Sequence, residues 1–388
     1  MRRGLALIAL ALPALGFPLP AQSVSSEAGS RELEASGAEL TISVLTFGQG
    51  DPIWERFGHN ALRIRDARDG SDIAYNWGTF DFQQPNFLGR FLTGNTLYWL
   101  DTATTPLMVE YYERVLDRTA VEQVLALTPA QRVRVRDFVR WNLREENRNY
   151  RYDYFIDNCS TRLRDAIDFG VGGALKPALR ARPSAHTFRS ESLRLMAGMP
   201  LPQAGMHIAL AEPADEALTA WEESFVPMRL MERLRQVRVP DGAGDRPLVA
   251  SEAVLYASTR EPEERSGPTL VGRFLVVGLL LAGLVVLLAR RATRGGRRAR
   301  TWLGVVGAAW GLLAGLMGVV LALAWSVTRH IFWYRNENLL QLAPLALLLV
   351  VAVPLALHRP RWRAAGLGLL LLLLGASVLG LVLKPLPM

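Results

Sequence analysis

The pattern of apolar and polar positions divides the chain into a short apolar start, a long mixed stretch and an apolar end. Two arginines precede an apolar run at residues 5–17 that leads to Ala21. A charged end, about a dozen apolar residues and a small exit residue are typical of a secretory signal peptide. We therefore predict a signal peptide at residues 1–22 and a flexible lead-in at residues 23–38. An uncleaved anchor is the alternative, although the run is short for a bilayer core about 30 Å thick.

Short β-like runs separated by glycine and aspartate turn formers recur along the mixed stretch. The predicted strands cover residues 39–46, 60–65, 72–79, 119–127, 236–239 and 248–257. We expect the second and third of these to pair as a β-hairpin, because turn formers lie between them at Asp69 and Gly70.

Helices are predicted between these strands. Thr-Pro pairs open helices at residues 105–116 and 128–147, since proline is favoured in the first turn of a helix. A further helix is predicted from Cys159 to Gly170, with Asp157 or Asn158 as its cap. Residues 176–232 look mostly helical, and residues 214–234 form the clearest amphipathic helix among them.

The apolar end begins after a charged, proline-containing linker at residues 259–269. Four apolar spans follow, at about residues 270–289, 302–326, 339–357 and 364–383. Each is about as long as a bilayer-crossing helix needs to be. Arginine-rich loops follow the first and third spans, so the positive-inside rule assigns both loops to the cytoplasm. The mixed stretch then lies outside the cytoplasm, as the signal peptide also requires. We predict an α+β periplasmic domain at residues 39–258 and a four-helix transmembrane domain at residues 270–388 in the bacterial inner membrane.

Composition and charge agree with this division. The chain is 50% hydrophobic, which is too apolar for one soluble domain of 388 residues. Its formal net charge is +8, but nine arginines lie in the two short cytoplasmic loops, and the rest of the chain is close to neutral. These are Arg290, Arg291, Arg294, Arg297, Arg298, Arg300, Arg359, Arg361 and Arg363. The positive charge therefore indicates membrane topology, and we predict no nucleic-acid partner.

Cys159 is the only cysteine, so the chain has no intrachain disulfide and no zinc site made of four cysteines. The five histidines form no short ligand pair, and we predict neither a metal nor another cofactor. A lone thiol at a helix start, behind a capping Asp-Asn pair, is a candidate nucleophile. The helix N-terminus and a nearby histidine would each lower the pKa of such a thiol.

Three histidines could activate Cys159. We prefer His59, because it stands at the start of a predicted strand where a sheet would fix its side chain. His186 and His207 lie in segments that could also approach the thiol, and spacing does not choose among the three.

Several segments together resemble the Lnb-type lipoprotein N-acyltransferases. They are Phe57-Gly58-His59-Asn60-Ala61-Leu62-Arg63-Ile64, then Tyr75-Asn76-Trp77-Gly78-Thr79-Phe80-Asp81-Phe82, then Tyr152-Asp153-Tyr154-Phe155-Ile156-Asp157-Asn158-Cys159-Ser160-Thr161-Arg162. The resemblance covers about residues 39–235 and extends loosely into the spans. It implies a circularly permuted, NlpC-type papain-like domain similar to the lecithin-retinol-acyltransferase group, with the histidine on a strand before the cysteine helix.

The resemblance also implies roles for individual residues. Cys159 would be the nucleophile and His59 the base, with Asn76 on the next strand as the leading candidate to orient the imidazole. Arg63, Tyr152, Asn158 and Arg162 are candidates for contact with the substrate, or else structural residues. The implied partners are a phospholipid acyl donor and a diacylglyceryl lipoprotein acceptor, both held in the membrane.

The implied reaction is ping-pong transfer of an acyl chain through a cysteine thioester. Two rival hypotheses stay open: a periplasmic cell-wall cysteine peptidase, and a non-catalytic envelope or transport component. Four spans argue against the peptidase, which needs at most one anchor. The loop at residues 328–338 is rich in aromatic residues; it would rest at the membrane interface or help to bind a lipid headgroup or the acyl acceptor.

Overall fold

The computed structural model describes residues 36–240, 244–264, 266–267 and 270–383. The predicted signal peptide and most of the predicted lead-in lie outside these residues. An α+β domain with an antiparallel sheet comes first, and four helices long and apolar enough to cross a membrane follow it among the described residues.

Antiparallel pairing organises the first domain. Its strands are β1 (Leu40–Phe47), β2 (His59–Asp66), β3 (Asp72–Thr79), β4 (Leu97–Thr104), β5 (Ala120–Leu125), β6 (Asn149–Arg151), β7 (Pro183–Thr187), β8 (Ala217–Thr219), β9 (Arg238–Pro240), β10 (Asp245–Pro247) and β11 (Val249–Tyr256). Within the described residues, seven of them form one sheet in the order β11-β5-β1-β2-β3-β4-β6. Two small sheets pair β7 with β8 and β9 with β10.

The predicted hairpin is confirmed, because β2 and β3 pair antiparallel with Leu62 opposite Tyr75. The predicted strand at residues 72–79 matches β3, and the other predicted strands are found within one or two residues of their expected limits. The sequence did not indicate β4 or β6, which extend the sheet beyond β3.

Helices cover both faces of the sheet. They are α1 (Phe87–Thr93), α2 (Thr105–Arg114), α3 (Pro129–Leu143), α4 (Glu145–Arg148), α5 (Cys159–Gly170), α6 (Leu175–Arg180), α7 (Phe188–Leu195), α8 (Pro200–Ala209), α9 (Ala220–Glu223) and α10 (Pro227–Leu234). The α3 and α5 helices bury apolar residues such as Val135 and Ile167 on one face of the sheet. On the other face, Tyr112 of α2 packs against Phe47 with ring centroids 3.7 Å apart.

Two helix predictions need correction. The amphipathic helix predicted at residues 214–234 is wrong: the segment contains a 3-10 turn, β8, α9 and α10. Pro227 occupies the first position of α10, because proline lacks the N–H that a continuing helix would need there. The helix predicted at residues 128–147 ends at Leu143, and α4 follows as a separate turn.

The segment predicted as a linker is held against the domain by polar contacts. Arg194 donates to Glu263 at 3.1 Å and to the backbone oxygen of Glu264 at 2.8 Å. Thr259 and Arg260 bond to Asp117 in the turn between α2 and β5. These contacts fix the place where the chain leaves the domain towards the spans.

The membrane part contains α11 (Val271–Thr293), α12 (Arg297–Val327), α13 (Leu349–His358) and α14 (Arg363–Leu383). The candidate spans are Val271–Thr293, Arg297–Val327, Glu337–His358 and Pro360–Leu383, so the four predicted spans are confirmed among the described residues. The third span was expected to be one helix, but it begins with the 3-10 turns Glu337–Leu340 and Pro344–Leu348.

Glycines on α12 explain how this irregular third span packs. A Cβ added at Gly318 would lie 1.8 Å from the carbonyl oxygen of Leu342, and one at Gly315 would lie 2.6 Å from the backbone nitrogen of Leu347. Small residues let backbones approach this closely inside a membrane, where packing drives helix association.

Candidate active site

Cys159 is the first residue of α5, and Asn158 caps that helix. The Asn158 side-chain oxygen accepts hydrogen bonds from the backbone N–H groups of Ser160 and Thr161, both at 2.9 Å. Its amide nitrogen donates to the backbone oxygens of Tyr154 and Phe225, both at 2.9 Å. These contacts use the Asn158 side chain to fix the helix start, although the residue also lines the cavity described below.

The start of α5 is tied to the central strands through Ser160. Ser160 Oγ lies 2.8 Å from Asn60 Oδ1 on β2 and 2.7 Å from the backbone oxygen of Ser224. Asn60 in turn donates to Thr46 Oγ1 on β1 at 2.9 Å. All of these side chains are buried. The cysteine is thus held beside the strand that begins with His59.

Gly78 lets β3 come close to the thiol. It has a φ of +95°, lies at a β-bulge between Trp77 and Thr79, and an added Cβ would lie 3.4 Å from Cys159 Cβ. A glycine inside a strand is a recognised sign of a bulge or close backbone approach, so the sequence did contain a signal for this position.

His59 contacts Asn76 across neighbouring strands. The His59 Nε2 to Asn76 Oδ1 distance is 3.1 Å, and the Asn76 amide nitrogen donates to the backbone oxygen of Ala74 at 3.3 Å. Because the nitrogen of that amide is used by Ala74, its oxygen faces the ring and accepts from Nε2–H. In this tautomer Nδ1 carries no proton and is free to act as a base.

His59 and Cys159 line one cavity of about 510 Å³. The wall consists mainly of apolar and aromatic side chains, among them Phe57, Phe80, Phe87, Phe91, Tyr98, Tyr152 and Met206. Neither His186 nor His207 is among the lining residues. Of the three histidines that the sequence left open, His59 therefore shares this cavity with the thiol.

Burial shifts the pKa of both groups towards their neutral forms. It raises the pKa of the Cys159 thiol, although backbone N–H groups of Asn60 and Ser160 act in the opposite direction. Burial lowers the pKa of His59 to about 4, although the hydrogen bond that His59 donates to Asn76 acts to raise it. The pKa of the thiol is therefore raised, and not lowered as the helix start alone predicted, because desolvation outweighs these N–H groups.

Arg118 is a charged group that the sequence did not indicate. It is 3% exposed, donates to the backbone oxygen of Gly48 at 2.7 Å and forms an ion pair with Glu55 at 3.2 Å. Its positive charge lowers the pKa of both His59 and Cys159. One guanidinium nitrogen, Nη2, has no hydrogen-bond partner among the described residues.

Of the predicted substrate-contact residues, some line the cavity and others lie outside it. Tyr152 lines the cavity, where its ring stacks on Tyr98 with centroids 4.0 Å apart. Arg63 lies outside the cavity and bonds to Asp72 and Glu122. Arg162 also lies outside, paired with Asp157 at 2.6 Å and stacked over Tyr150 at 3.8 Å. Both arginines use their guanidinium groups in contacts within the domain, and substrate contact by either one stays a prediction.

The loop between the second and third spans forms part of the cavity wall. His330 and Trp333 line the cavity, and His330 Nε2 lies 2.7 Å from the backbone oxygen of Phe91. Phe332 is 3% exposed and packs against Phe155 and Phe188 with ring centroids 4.8 and 4.9 Å away. The predicted interfacial loop is therefore docked on the α+β domain.

A second cluster gathers possible metal ligands away from the cavity. His186, Glu191 and Glu223 bring ligand atoms within 4.8 Å of one another. However, Arg229 lies 3.2 Å from Glu191 and 3.6 Å from Glu223, and Arg194 and Arg233 also pair with these carboxylates. Because the guanidinium groups already neutralise the carboxylates, we interpret the cluster as a buried ion-pair network that joins α7 to α9 and α10.

Comparison with known families adds an independent result. Residues 32–194 match the Lnb N-terminal periplasmic domain, and residues 273–385 match the Lnb transmembrane domain. Neither the curated proteins nor the solved structures contain a match to the chain. The two matched regions follow each other in the order seen in the fold, and the chain belongs to the Lnb family, with a periplasmic N-terminal domain ahead of its transmembrane helices.

Proposed function

We propose that the protein transfers an acyl chain from a membrane lipid ester to the α-amine of a diacylglyceryl-cysteine lipoprotein through a Cys159 thioester. One observation carries the proposal: the lone thiol and a histidine held by an amide face the same apolar cavity. Its volume of about 510 Å³ lies in the range of small-ligand sites. Membership of the Lnb family supports a lipoprotein as the acceptor.

The first half-reaction uses His59 as a general base. Neutral Nδ1 accepts the thiol proton while Cys159 Sγ attacks the ester carbonyl carbon. The backbone N–H of Cys159, at the start of α5, stabilises the tetrahedral oxyanion, because the next two N–H groups already bond to Asn158. The carbon–oxygen bond then breaks, the leaving lysolipid hydroxyl takes the proton from His59, and a thioester remains on the enzyme.

The second half-reaction regenerates the thiol. The α-amine of the lipoprotein attacks the thioester carbonyl, His59 accepts a proton from the amine nitrogen, and the carbon–sulfur bond breaks as the amide forms. The proton returns to Cys159 Sγ. The aromatic wall disfavours water in the cavity, which protects the thioester from hydrolysis.

The proposal includes a permuted papain-like (NlpC-type) arrangement of the α+β domain. His59 opens β2 and comes before the cysteine helix α5 in the chain, and Asn76 follows on the adjacent strand β3. This chain order supports the permutation implied by the sequence. Asn76 then acts as a positioning residue, because it reaches the substrate only through the imidazole.

Mass spectrometry of a reporter lipoprotein tests this function in cells that lack any other N-acyltransferase. We expect Cys159→Ala and His59→Ala to leave the reporter diacylated while the protein still inserts in the membrane. His358→Ala, at the cytoplasmic end of α13, is the control and should leave N-acylation intact. A triacylated reporter in the Cys159→Ala strain would exclude the mechanism, and muropeptides cleaved by the purified protein would favour the peptidase instead.

A further inference from the structure

Exposed apolar side chains surround the mouth of the cavity. Trp54 is 61% exposed, Phe82 54% and Leu88 68%, and all three line the cavity. Leu92 and Leu201 are also exposed, at 45% and 83%, on α1 and α8, the helices that supply Leu88 and Met206 to the cavity lining. We call these exposed side chains the rim. Exposed apolar side chains grouped at the mouth of a cavity are typical of an interaction surface.

Hydrogen bonds place the rim next to the end of a membrane span. The backbone nitrogen of Arg329, two residues after α12 ends at Val327, donates to the backbone oxygen of Thr93 at 2.9 Å. Thr93 is the last residue of α1. Since a seven-residue helix is only about 10 Å long, the whole of α1 lies close to the membrane surface.

The second rim helix is attached to the same loop. Asn336 donates to the backbone oxygens of Ile208 and Ala209 at the end of α8, both at 2.8 Å. Both rim helices are therefore attached to the loop that joins the outer ends of the second and third spans. A bilayer that covers the spans would meet α1 and α8 at its outer edge.

Basic side chains near the rim match an anionic lipid surface. Arg90 lies in the last turn of α1, and Arg329 lies two residues after the end of α12. Neither forms an ion pair with any described residue. Cations at the edge of an apolar helix face are typical of helices that lie in the plane of a membrane interface.

We propose that α1 and the first turn of α8, around Leu201, insert into the outer leaflet of the bilayer, and that the cavity opens sideways into that leaflet. A phospholipid then brings its acyl ester to Cys159 without leaving the membrane, with its phosphate near Arg90 and Arg329. The entry route for the acyl chain rests on the proposed function. The insertion of α1 and α8 into the bilayer does not depend on the proposed function, since it is inferred from the exposed rim and from the attachment of the rim to the spans.

The lone cysteine makes the insertion measurable. In full-length Cys159→Ala protein, single cysteines at Leu92 and Leu201 would carry a nitroxide label in vesicles of phosphatidylethanolamine and phosphatidylglycerol. Leu107 is the matched control, because it is 67% exposed and lies at the start of α2. Helix α2 begins where β4 ends, at the end of the β3–β4 pair that lies away from Gly78 and the cavity. We expect labels at 92 and 201 to collide more with oxygen than with a water-soluble nickel chelate, and the label at 107 to show the reverse. Labels at 92 and 201 that behave like the label at 107 would overturn the insertion.

The route is tested in protein that keeps Cys159. We expect Leu92→Ser/Leu201→Ser to slow thioester formation from vesicle phospholipid at least tenfold, while thioester formation from a water-soluble p-nitrophenyl butyrate is unchanged. Leu107→Ser should alter neither rate. Equal loss with both donors would overturn the route, because it would show damage to the site. If wild-type protein forms no thioester with either donor, the proposed function fails while the labelling result still stands.

Discussion

Replacing Asn76 by aspartate tests whether this residue sets the proton affinity of His59. The substitution keeps an oxygen 3.1 Å from His59 Nε2 and adds a negative charge. It removes the amide nitrogen that bonds to the backbone oxygen of Ala74. The imidazole therefore keeps its partner, and the main change is that the partner becomes charged.

The size of the effect follows from the hydrogen bond. A neutral hydrogen bond contributes about 0.5–1.5 kcal/mol and one to a charged group about 1.5–3 kcal/mol, a difference of roughly 1–1.5 kcal/mol. Since one pKa unit corresponds to about 1.36 kcal/mol, the pKa of His59 should rise by about one unit. Burial sets the starting value at about 4. A base must be neutral to act, so wild-type activity should be lost only as the pH falls through about 4, whereas Asn76→Asp should lose activity at higher pH.

The assay is the pH dependence of single-turnover acylation of Cys159 by a water-soluble p-nitrophenyl ester. Asn147→Asp is the control, because it makes the same chemical change at an amide that bonds to the backbone oxygen of Trp141 outside the cavity. If the pH at which activity is lost on acidification is unchanged or lower in Asn76→Asp, the orienting contact is refuted. A wild-type limb near the ordinary histidine pKa of about 6.5 would refute the buried, neutral base.

Two further predictions concern a charge and a close contact. Arg118→Gln should slow alkylation of Cys159 by iodoacetamide, because the positive charge that lowers the pKa of the thiol is lost. Arg118→Lys should restore most of the rate, and equal rates in all three proteins would contradict the electrostatic role. Gly318→Ala should lower the melting temperature of the detergent-solubilised protein, because its methyl group would collide with a backbone carbonyl. Gly278→Ala, which meets open space, should not do so, and equal melting temperatures would argue against the packing described.

Local signals allowed much of the sheet to be predicted. The segment that forms β3 has Ile73, Tyr75 and Trp77 at every second position and turn formers before it, and its limits agree with the prediction. The cap at Asn158 and the helix end at Gly170 were also predictable, because both depend on neighbours in the sequence. Strand β6 has only three residues and exists because β4 pairs with it, so no local pattern could indicate it.

Errors arose where tertiary contacts decide the structure. The third span has the hydropathy of a continuous helix, but Leu342 and Leu347 pack against glycines of α12, and 3-10 turns replace the helix there. In the site, Cys159 and His59 could be predicted from the sequence, because one is the only cysteine and the other is a histidine at the start of a predicted strand. Arg118 was not, since only the pairing of β1 with β5 brings it near them.

The transmembrane part contributes to the site as well as anchoring it. His330 and Trp333 from the loop between two spans line the cavity, and Phe332 of that loop lies in an aromatic cluster of the periplasmic domain. Removal of the spans would therefore open one wall of the cavity and expose that cluster. A cell-wall peptidase has no need of such a wall, because its substrate lies outside the membrane and a single anchor suffices. A transferase whose donor is a membrane lipid does need it, since the cavity must receive an acyl chain from the bilayer while it stays closed to water.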